Sequence, residues 1–245
     1  MLLDDITPFI DVSLSRLTYL SLDQYTVSFD IAFQMLTRCG SLVSCSMDLA
    51  SQWESSQRDG RPQYALLTLP ELKKLSICLI DSTNDLWIPY LSLPNLTSFQ
   101  VISGRVSSTW PPTWTPAITG SGALQVLLVM DVVVPTTEIE EILEAAPVLT
   151  ELIIEAGEML SDSTLRRISS GEFVPRLSAL FCCLDSAESL TRHLDMLEAR
   201  KAEGTATLIE EVVFGNYPSV PPADVEGRIA RMSAEGWKIC VNYHQ

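Results

Sequence analysis

Apolar residues recur along this chain in a repeated pattern, L-x-x-L-x-L, in which related apolar residues replace some of the leucines. Seven of the eight occurrences begin with leucine, and successive occurrences start 24 to 32 residues apart. One such stripe cannot be buried by itself, so the regularity predicts a repeated unit that stacks against its neighbours. The occurrences begin at Leu17, Leu42, Leu72, Leu96, Leu124, Leu149, Leu177 and Ile209.

A proline or a glycine stands two residues before the first apolar position in six of the eight units. Both residue types end a preceding helix and return the chain to an extended conformation. Their fixed offset therefore predicts that a strand begins at the same point of each unit. The six positions are Gly40, Pro70, Pro94, Gly122, Pro147 and Pro175.

Between these predicted strands, apolar residues three and four apart indicate amphipathic helices. A Thr137/Glu140 capping box is expected to begin the first of three long helices, and Asp185 is expected to cap the second. Three helices are predicted over 137–146, 186–200 and 222–234, with shorter turns around 29–38 and 162–169.

A strand followed by a helix at a period of about 20–29 residues is typical of leucine-rich repeats. The predicted fold class is α/β, a leucine-rich-repeat solenoid: a right-handed β-α superhelix with parallel strands on the concave face and irregular helices and turns on the convex face. Residues 1–245 are expected to form one domain of about eight irregular units. No asparagine ladder is expected, since the ladder position holds Tyr25, Ala50, Ile80, Gly104, Val132, Gly157, Asp185 and Gly215.

Residues 103–122 interrupt the pattern with prolines, glycines and many Ser and Thr residues. This composition predicts an extended Pro/Gly/Trp-rich loop inserted in the array. Trp110 and Trp114 lie in the segment. Two interpretations of them stay open: each tryptophan folds back over a strand edge, or the two are aromatic anchors for a partner.

The chain carries 31 acidic and 16 basic residues, a formal net charge of −15, and its basic residues are scattered. A nucleic acid would be repelled by such a surface, so no nucleic-acid partner is expected. The longest apolar runs are too short to span a bilayer, so no membrane partner is expected either. Six cysteines without a C-x-x-C pair, and an N-terminus without a basic region, favour a reduced protein of the cytoplasm or nucleus.

Residues that would carry catalysis are scarce. The only histidines are His193 and His244, and neither stands in a recognisable nucleophile context. Nucleotide-binding and hydrolase motifs are absent from the sequence, and the many glutamates follow the exposed sides of predicted helices. We therefore expect a binding scaffold that is not an enzyme, with no cofactor and no metal site.

Strand alternation predicts which residues point to the concave face. In the first four units these positions are mostly polar, whereas in the last four they are mostly apolar with acids among them. An apolar patch bordered by acids is typical of a protein-binding surface. We expect this patch to bind a protein partner that has an apolar anchor and basic flanks. The scaffold itself is expected to be monomeric. The candidate partner-binding residues are Val126, Leu128, Met130, Glu151, Ile153, Glu155, Phe181 and Val213.

Some units, such as LPELKKLSI and LPNLTSFQV, resemble the repeats of fungal F-box proteins. The run HLDMLEARKAEGTATLIEEVVF, with the later RMSAEGWKICV, is similar to the closing segment of those proteins. There, a helix ending in an ARK stretch leads to the last strands, and a GxxIxV strand closes the array. The resemblance covers residues 60–245 well and the first sixty residues loosely.

This resemblance implies the substrate-recognition repeat region of an F-box-type adaptor of a cullin–RING ubiquitin ligase. No F-box is recognisable before the first repeat at Leu17, so the docking of the ligase adaptor cannot be carried over to any residue here. A truncated member, a fragment of a longer product, and a stand-alone leucine-rich-repeat protein with a structural or regulatory role unrelated to ubiquitin all stay open.

Overall fold

The computed structural model describes residues 14–50, 64–80, 88–104, 108–155, 160–204, 206–217 and 221–243. Within them it has an α/β architecture, as predicted, and short 3₁₀ helices at Leu14–Arg16, Ile88–Tyr90 and Pro112–Trp114. Its strands are β1 (Tyr19–Ser28), β2 (Ser44–Ala50), β3 (Leu67–Thr68), β4 (Lys74–Leu79), β5 (Leu91–Ser92), β6 (Ser98–Ser103), β7 (Ser108–Thr109), β8 (Val126–Met130), β9 (Val132–Val133), β10 (Glu151–Ile154), β11 (Ala179–Cys183), β12 (Glu211–Tyr217) and β13 (Lys238–Tyr243).

Nine of these strands form one sheet in which all neighbours are parallel, in the order β1-β2-β4-β6-β8-β10-β11-β12-β13. The sheet thus follows the order of the chain. Parallel neighbours need a crossover between the end of one strand and the start of the next. The two small parallel pairs β3–β5 and β7–β9 lie within these crossovers, as do the α-helices.

The helices are α1 (Phe29–Leu36), α2 (Thr115–Thr119), α3 (Thr136–Ala145), α4 (Asp162–Ser169), α5 (Ala187–Glu203) and α6 (Ala223–Ala234). All three predicted helices are present, and α1 and α4 lie where the two shorter turns were predicted. Both predicted caps are wrong. The residue before α3 is Pro135, without a side-chain cap, and Glu140 instead accepts a hydrogen bond from Thr164 at 2.5 Å. The cap of α5 is Ser186, whose hydroxyl accepts from Ser189 N at 3.1 Å.

The repeat pattern sets the register of the sheet. Each strand paired with a unit begins two residues after that unit's first apolar position, as with Leu42 and β2 or Leu149 and β10. The first apolar residue is no more than 2% exposed in units two to eight, while Leu17 is partly buried. Equivalent residues of successive units therefore stand side by side across the sheet.

The recurring prolines occupy a defined turn. In four units a proline, and in one unit Gly40, is the second residue of a β-turn closed by a main-chain hydrogen bond of 3.0–3.3 Å. Proline suits this position because its fixed φ matches the one that common turns require. The five turns span residues 39–42, 69–72, 93–96, 146–149 and 174–177.

A main-chain hydrogen-bond ladder joins the units where the strands begin. The carbonyl oxygen of Thr18 accepts from Val43 N at 2.8 Å and from Ser44 N at 3.1 Å. The same two-to-one arrangement recurs at every step from β2 to β12, so main-chain groups join neighbouring units in place of an asparagine ladder. The accepting carbonyls belong to Thr18, Val43, Lys73, Thr97, Gln125, Thr150 and Ser178.

The tryptophan segment differs from the extended loop expected over 103–122. Its described part contains β7, a 3₁₀ turn and α2, and both Trp110 and Trp114 are 1% exposed. The two indole rings pack edge to face at 5.2 Å, and Trp110 Nε1 donates to Thr115 Oγ1 at 3.1 Å. Large apolar surfaces gain most from burial, so the segment folds back onto the core and its tryptophans are not surface anchors.

Candidate binding surface

The two faces of the nine-stranded sheet differ in burial. In β8, Leu127 and Val129 are 0% exposed and join the cluster that contains the buried helix residues. The alternate residues Val126, Leu128 and Met130 point the other way and are partly exposed. We call the face that carries these alternate residues the open face. Strand alternation therefore separates core from surface as predicted.

Strand pairing arranges the open face into rows that cross the sheet. The first row is Tyr19, Ser44, Lys74, Ser98, Val126, Glu151, Ala179, Glu211 and Lys238. The second row is Ser21, Ser46, Ser76, Gln100, Leu128, Ile153, Phe181, Val213 and Cys240. A third row includes Thr26, Asp48, Cys78, Ile102 and Met130.

The second row changes character along the sheet, from serines and a glutamine on β1 to β6 to a continuous apolar stretch on β8 to β12. This stretch, Leu128, Ile153, Phe181 and Val213, is called the apolar band below. All four side chains are partly exposed. The structure thus brings together side chains that lie far apart in the sequence, and the eight candidate partner-binding residues all lie in or beside the band. Their role in binding stays a prediction.

Glutamates border the apolar band on both sides. Glu151 and Glu211 are exposed in the first row, with Ala179 between them. Two strand spacings separate them, which is about 9.6 Å. Within the described residues neither carboxylate has an ion-pair partner. Lys238 follows Glu211 in the first row, whereas the neighbours of Glu151 in that row, Val126 and Ala179, carry no charge.

Glu155 lies at the opposite border, immediately after β10, where its main-chain N–H donates to Val129 O at 2.9 Å. Its carboxyl group is partly buried. Burial raises the pKa of this carboxyl group, and the charge of Asp131 raises it further. A cationic group placed beside Glu155 would oppose this rise in pKa, because an opposite charge favours the ionised form.

Phe181 is oriented by a glycine. A Cβ atom added to Gly215 would lie 3.2 Å from Phe181 Cζ and 3.2 Å from Cys183 Sγ. The ring of Phe181 thus leans toward the third row and away from Ala179 in the first row. Sequence reasoning placed Gly215 only as a substitute in the asparagine ladder and missed this contact. A glycine inside a strand, which often marks a close approach, was the available signal.

The polar part of the open face carries two neighbouring carboxylates. Asp23 accepts hydrogen bonds from Ser21, at 2.8 Å, and from Ser46. Burial raises the pKa of Asp48, and the charge of Asp23 raises it further. Within the described ranges no group of three or more His, Cys, Asp or Glu side chains is arranged to hold a metal ion. This region presents hydrogen-bond acceptors and negative charge.

Other features lie on the helical side. His193 is 4% exposed, its Nδ1 is 2.7 Å from Ser189 O, and its ring packs edge to face on Phe214 at 5.9 Å. A shallow cavity of about 420 Å³ between α4 and α5 is lined by Leu165, Met196 and charged side chains, and the sequence did not predict it. Asp162 and Arg192 at its border form an ion pair at 2.9 Å.

No protein-family model matches the chain, and no curated protein matches it. Among the helices in the described part of the chain, none is long and apolar enough to cross a membrane.

Proposed function

We propose that this chain is a leucine-rich-repeat scaffold that binds a protein on its open face. The observation that carries the proposal is the apolar band bordered by Glu151, Glu155 and Glu211. Contiguous apolar surface with a polar border is typical of protein–protein interfaces, where an apolar centre is surrounded by a hydrated margin. The expected partner contributes an apolar anchor with basic flanks.

Three regularities support the leucine-rich-repeat assignment. Strands begin at one point of each unit, a turn with a central proline or glycine precedes many of them, and a main-chain ladder joins successive starts. A sheet that follows chain order, with its crossovers packed on one face, suits a right-handed superhelix with the open face as the concave side.

The biological role that we propose is substrate recognition for an F-box-type ubiquitin-ligase adaptor, in the cytoplasm or nucleus. The resemblance of the closing segment to fungal F-box proteins supports it. In that segment the arginine of the ARK stretch, Arg200, is 1% exposed and hydrogen-bonded to main-chain carbonyls. A structural requirement of this kind gives the stretch a physical reason to recur in proteins with the same closing repeats.

The first experiment introduces a charge into the apolar band. We expect Leu128→Asp and Phe181→Asp to abolish capture of the protein partner while leaving the melting temperature nearly unchanged, because both side chains are already partly exposed. The matched control is Leu127→Asp, one residue away in β8 at a position that is 0% exposed, which we expect to unfold the protein. If Leu128→Asp and Phe181→Asp also unfold it, the band belongs to the core and the proposal fails.

A second experiment addresses the ubiquitin connection. The full-length product is purified from its own cells with and without the Phe181→Asp change, and bound proteins are identified by mass spectrometry. Recovery of ligase adaptor and cullin peptides with both forms, together with a partner lost from the variant, supports the adaptor role. A partner that depends on Phe181, without adaptor or cullin peptides, favours a stand-alone repeat protein.

A further inference from the structure

The dimensions of the apolar band limit the kind of segment that can lie on it. Its four side chains, Leu128, Ile153, Phe181 and Val213, stand on adjacent strands, so the outer two are about 14 Å apart. Across the band, Glu151 and Glu155 are four residues apart on one extended segment, which is about 13 Å. An α-helix with its side chains is about 10–12 Å across, so it fits between these borders.

The spacing of the band also favours a helix over an extended segment. Neighbouring strands are about 4.8 Å apart, and side chains on one face of a helix recur at about 5.4 Å per turn. Side chains on one face of an extended peptide recur at about 6.6–6.8 Å, so they fall out of step with the strands after two contacts. Four apolar residues spaced i, i+4, i+7 and i+11 on a helix could each contact one strand.

The glutamates indicate where positive charge belongs on such a helix. Glu151 and Glu211 border one side of the band, about 9.6 Å apart, and Glu155 borders the other side. Seven residues of helix span about 10.5 Å. Two basic residues about seven apart on one flank, with a third on the opposite flank, would therefore meet all three carboxylates.

A recess in the first row provides space for one basic side chain. Ala179 lies between Glu151 and Glu211 and has only a methyl side chain. The ring of Phe181, the next open-face residue on the same strand, leans toward Gly215 in the third row, on the side away from Ala179. An ammonium or guanidinium group can enter this recess with carboxylates on both sides.

We infer that the open face binds a basic amphipathic helix of a protein partner, laid across β8, β10, β11 and β12 with its apolar stripe on the band. This inference rests on the proposed function and specifies its ligand. The three glutamates beside the apolar band favour a partner segment that carries positive charge. A second copy of this chain, which has a formal net charge of −15, would bring like charges together at the same face.

The test is a selection from a phage library of random peptides about 16 residues long, enough for four helical turns. The selection uses the whole protein, and each recovered clone is then retested against Phe181→Asp and against Leu128→Asp. Clones that lose binding to both variants are sequenced, and circular dichroism of synthetic copies, free and bound, reports their conformation.

The inference is supported if the clones form a helix on binding and carry apolar residues at i, i+3 or i+4, and i+7. Their flanking positions should hold Lys or Arg. Band-dependent clones with alternating apolar residues, or with neutral or acidic flanks, overturn the helix while leaving the binding surface intact. If no clone depends on the band, the proposed function fails together with the inference.

Charge reversal tests the placement of the basic residues. For a selected helical peptide, we expect Glu151→Lys with Glu211→Lys to weaken binding by about tenfold or more at low salt, and by less in high salt. The matched control is Glu141→Lys with Glu226→Lys, which makes the same change in net charge at exposed positions of α3 and α6. Equal weakening by both pairs would show only a general attraction and would contradict the proposed placement.

Discussion

Arg200 is a buried charged residue whose substitution should cost this protein much of its stability. The side chain lies near the end of α5, and its guanidinium group donates to main-chain carbonyls of four residues. Nε donates to Thr207 O at 2.8 Å, and Nη2 donates to Val174 O at 3.0 Å and Pro175 O at 3.1 Å. Nη1 donates to Ile168 O, near the end of α4.

The hydrogen bonds to these carbonyls offset the cost of burying the guanidinium charge. Within the described residues Arg200 has no carboxylate partner, and burial lowers the pKa of its guanidinium group. The same contacts hold the chain at Val174, a β-branched residue with φ of 42°. A positive φ is costly for such a residue, so it persists only where its surroundings impose it.

The expected cost of Arg200→Met follows from these contacts. Four hydrogen bonds from a charged donor would be lost. Thr207 O would be left without a donor, at about 1–3 kcal/mol, whereas Ile168 O, Val174 O and Pro175 O would keep the main-chain donors Gly171 N, Leu177 N and Thr207 N. Water entering the site, and removal of a buried charge, offset part of that sum. We expect the free energy of unfolding to fall by about 2–4 kcal/mol, a large share of the stability of an ordinary domain.

Urea unfolding followed by circular dichroism measures this change. The control is Arg231→Met, because the Arg231 side chain is 63% exposed and pairs with Glu198 at 2.9 Å. We expect that change to cost less than about 1 kcal/mol. Hydrogen exchange should also show lost protection around residues 168–175 in Arg200→Met alone. A loss below about 1 kcal/mol in Arg200→Met would refute the reasoning that these carbonyls depend on the guanidinium.

Three further predictions follow from other local contacts. Gly215→Ala should displace the Phe181 ring, because the added Cβ would lie 3.2 Å from Phe181 Cζ, and should therefore weaken partner binding. Gly227 lies in α6 with open space around it, so Gly227→Ala should raise the free energy of unfolding by about 0.5–1 kcal/mol, measured in urea. Burial, and the charge of Asp23, raise the pKa of Asp48 in the folded state above its value in the unfolded chain. The folded state therefore loses stability as the pH rises from the unfolded pKa through the folded pKa. Asp48→Asn should therefore raise the melting temperature at pH 7, and the gain should vanish in acid below both pKa values. Iodoacetamide should modify the exposed Cys240 before any buried thiol in the native protein, as peptide mass spectrometry would show.

Much of the sheet could be predicted because its register repeats the sequence pattern. Leu149 and Leu177 mark the same point of two units, and β10 and β11 begin two residues after them. Burial of Leu152 and Leu180 within these strands contributes about 1.5–3 kcal/mol each, and a shift of the strand pairing by one residue would place both on the open face. This penalty is large enough for the spacing of apolar residues alone to determine which side of each strand faces the core.

Local polar contacts were harder to predict because several partners compete for the same group. Glu140 stands three residues after Thr137, as a capping box requires, yet it accepts from Thr164 of the next helix. At the start of α5, Asp185 and Ser186 are both good caps, and the serine occupies the position. Differences between such alternatives are about 1 kcal/mol, so packing of the surrounding units decides them.

The candidate binding surface has one feature that the sequence predicts, the side of each strand that faces out, and one that it does not, the neighbours of each side chain. Alternation is enough to place Phe181 on the open face, whereas its neighbours depend on crossovers of different lengths. Glu151 and Glu211 are 60 residues apart in the sequence and stand on either side of Ala179 only because β10, β11 and β12 are in register. The direction of the Phe181 ring depends in turn on the missing Cβ of Gly215. A two-residue change in the register of β12 would keep Glu211 and Val213 on the open face. It would nevertheless move Glu211 away from Glu151 and Ala179, and the proposed place for a partner's basic side chain would be lost.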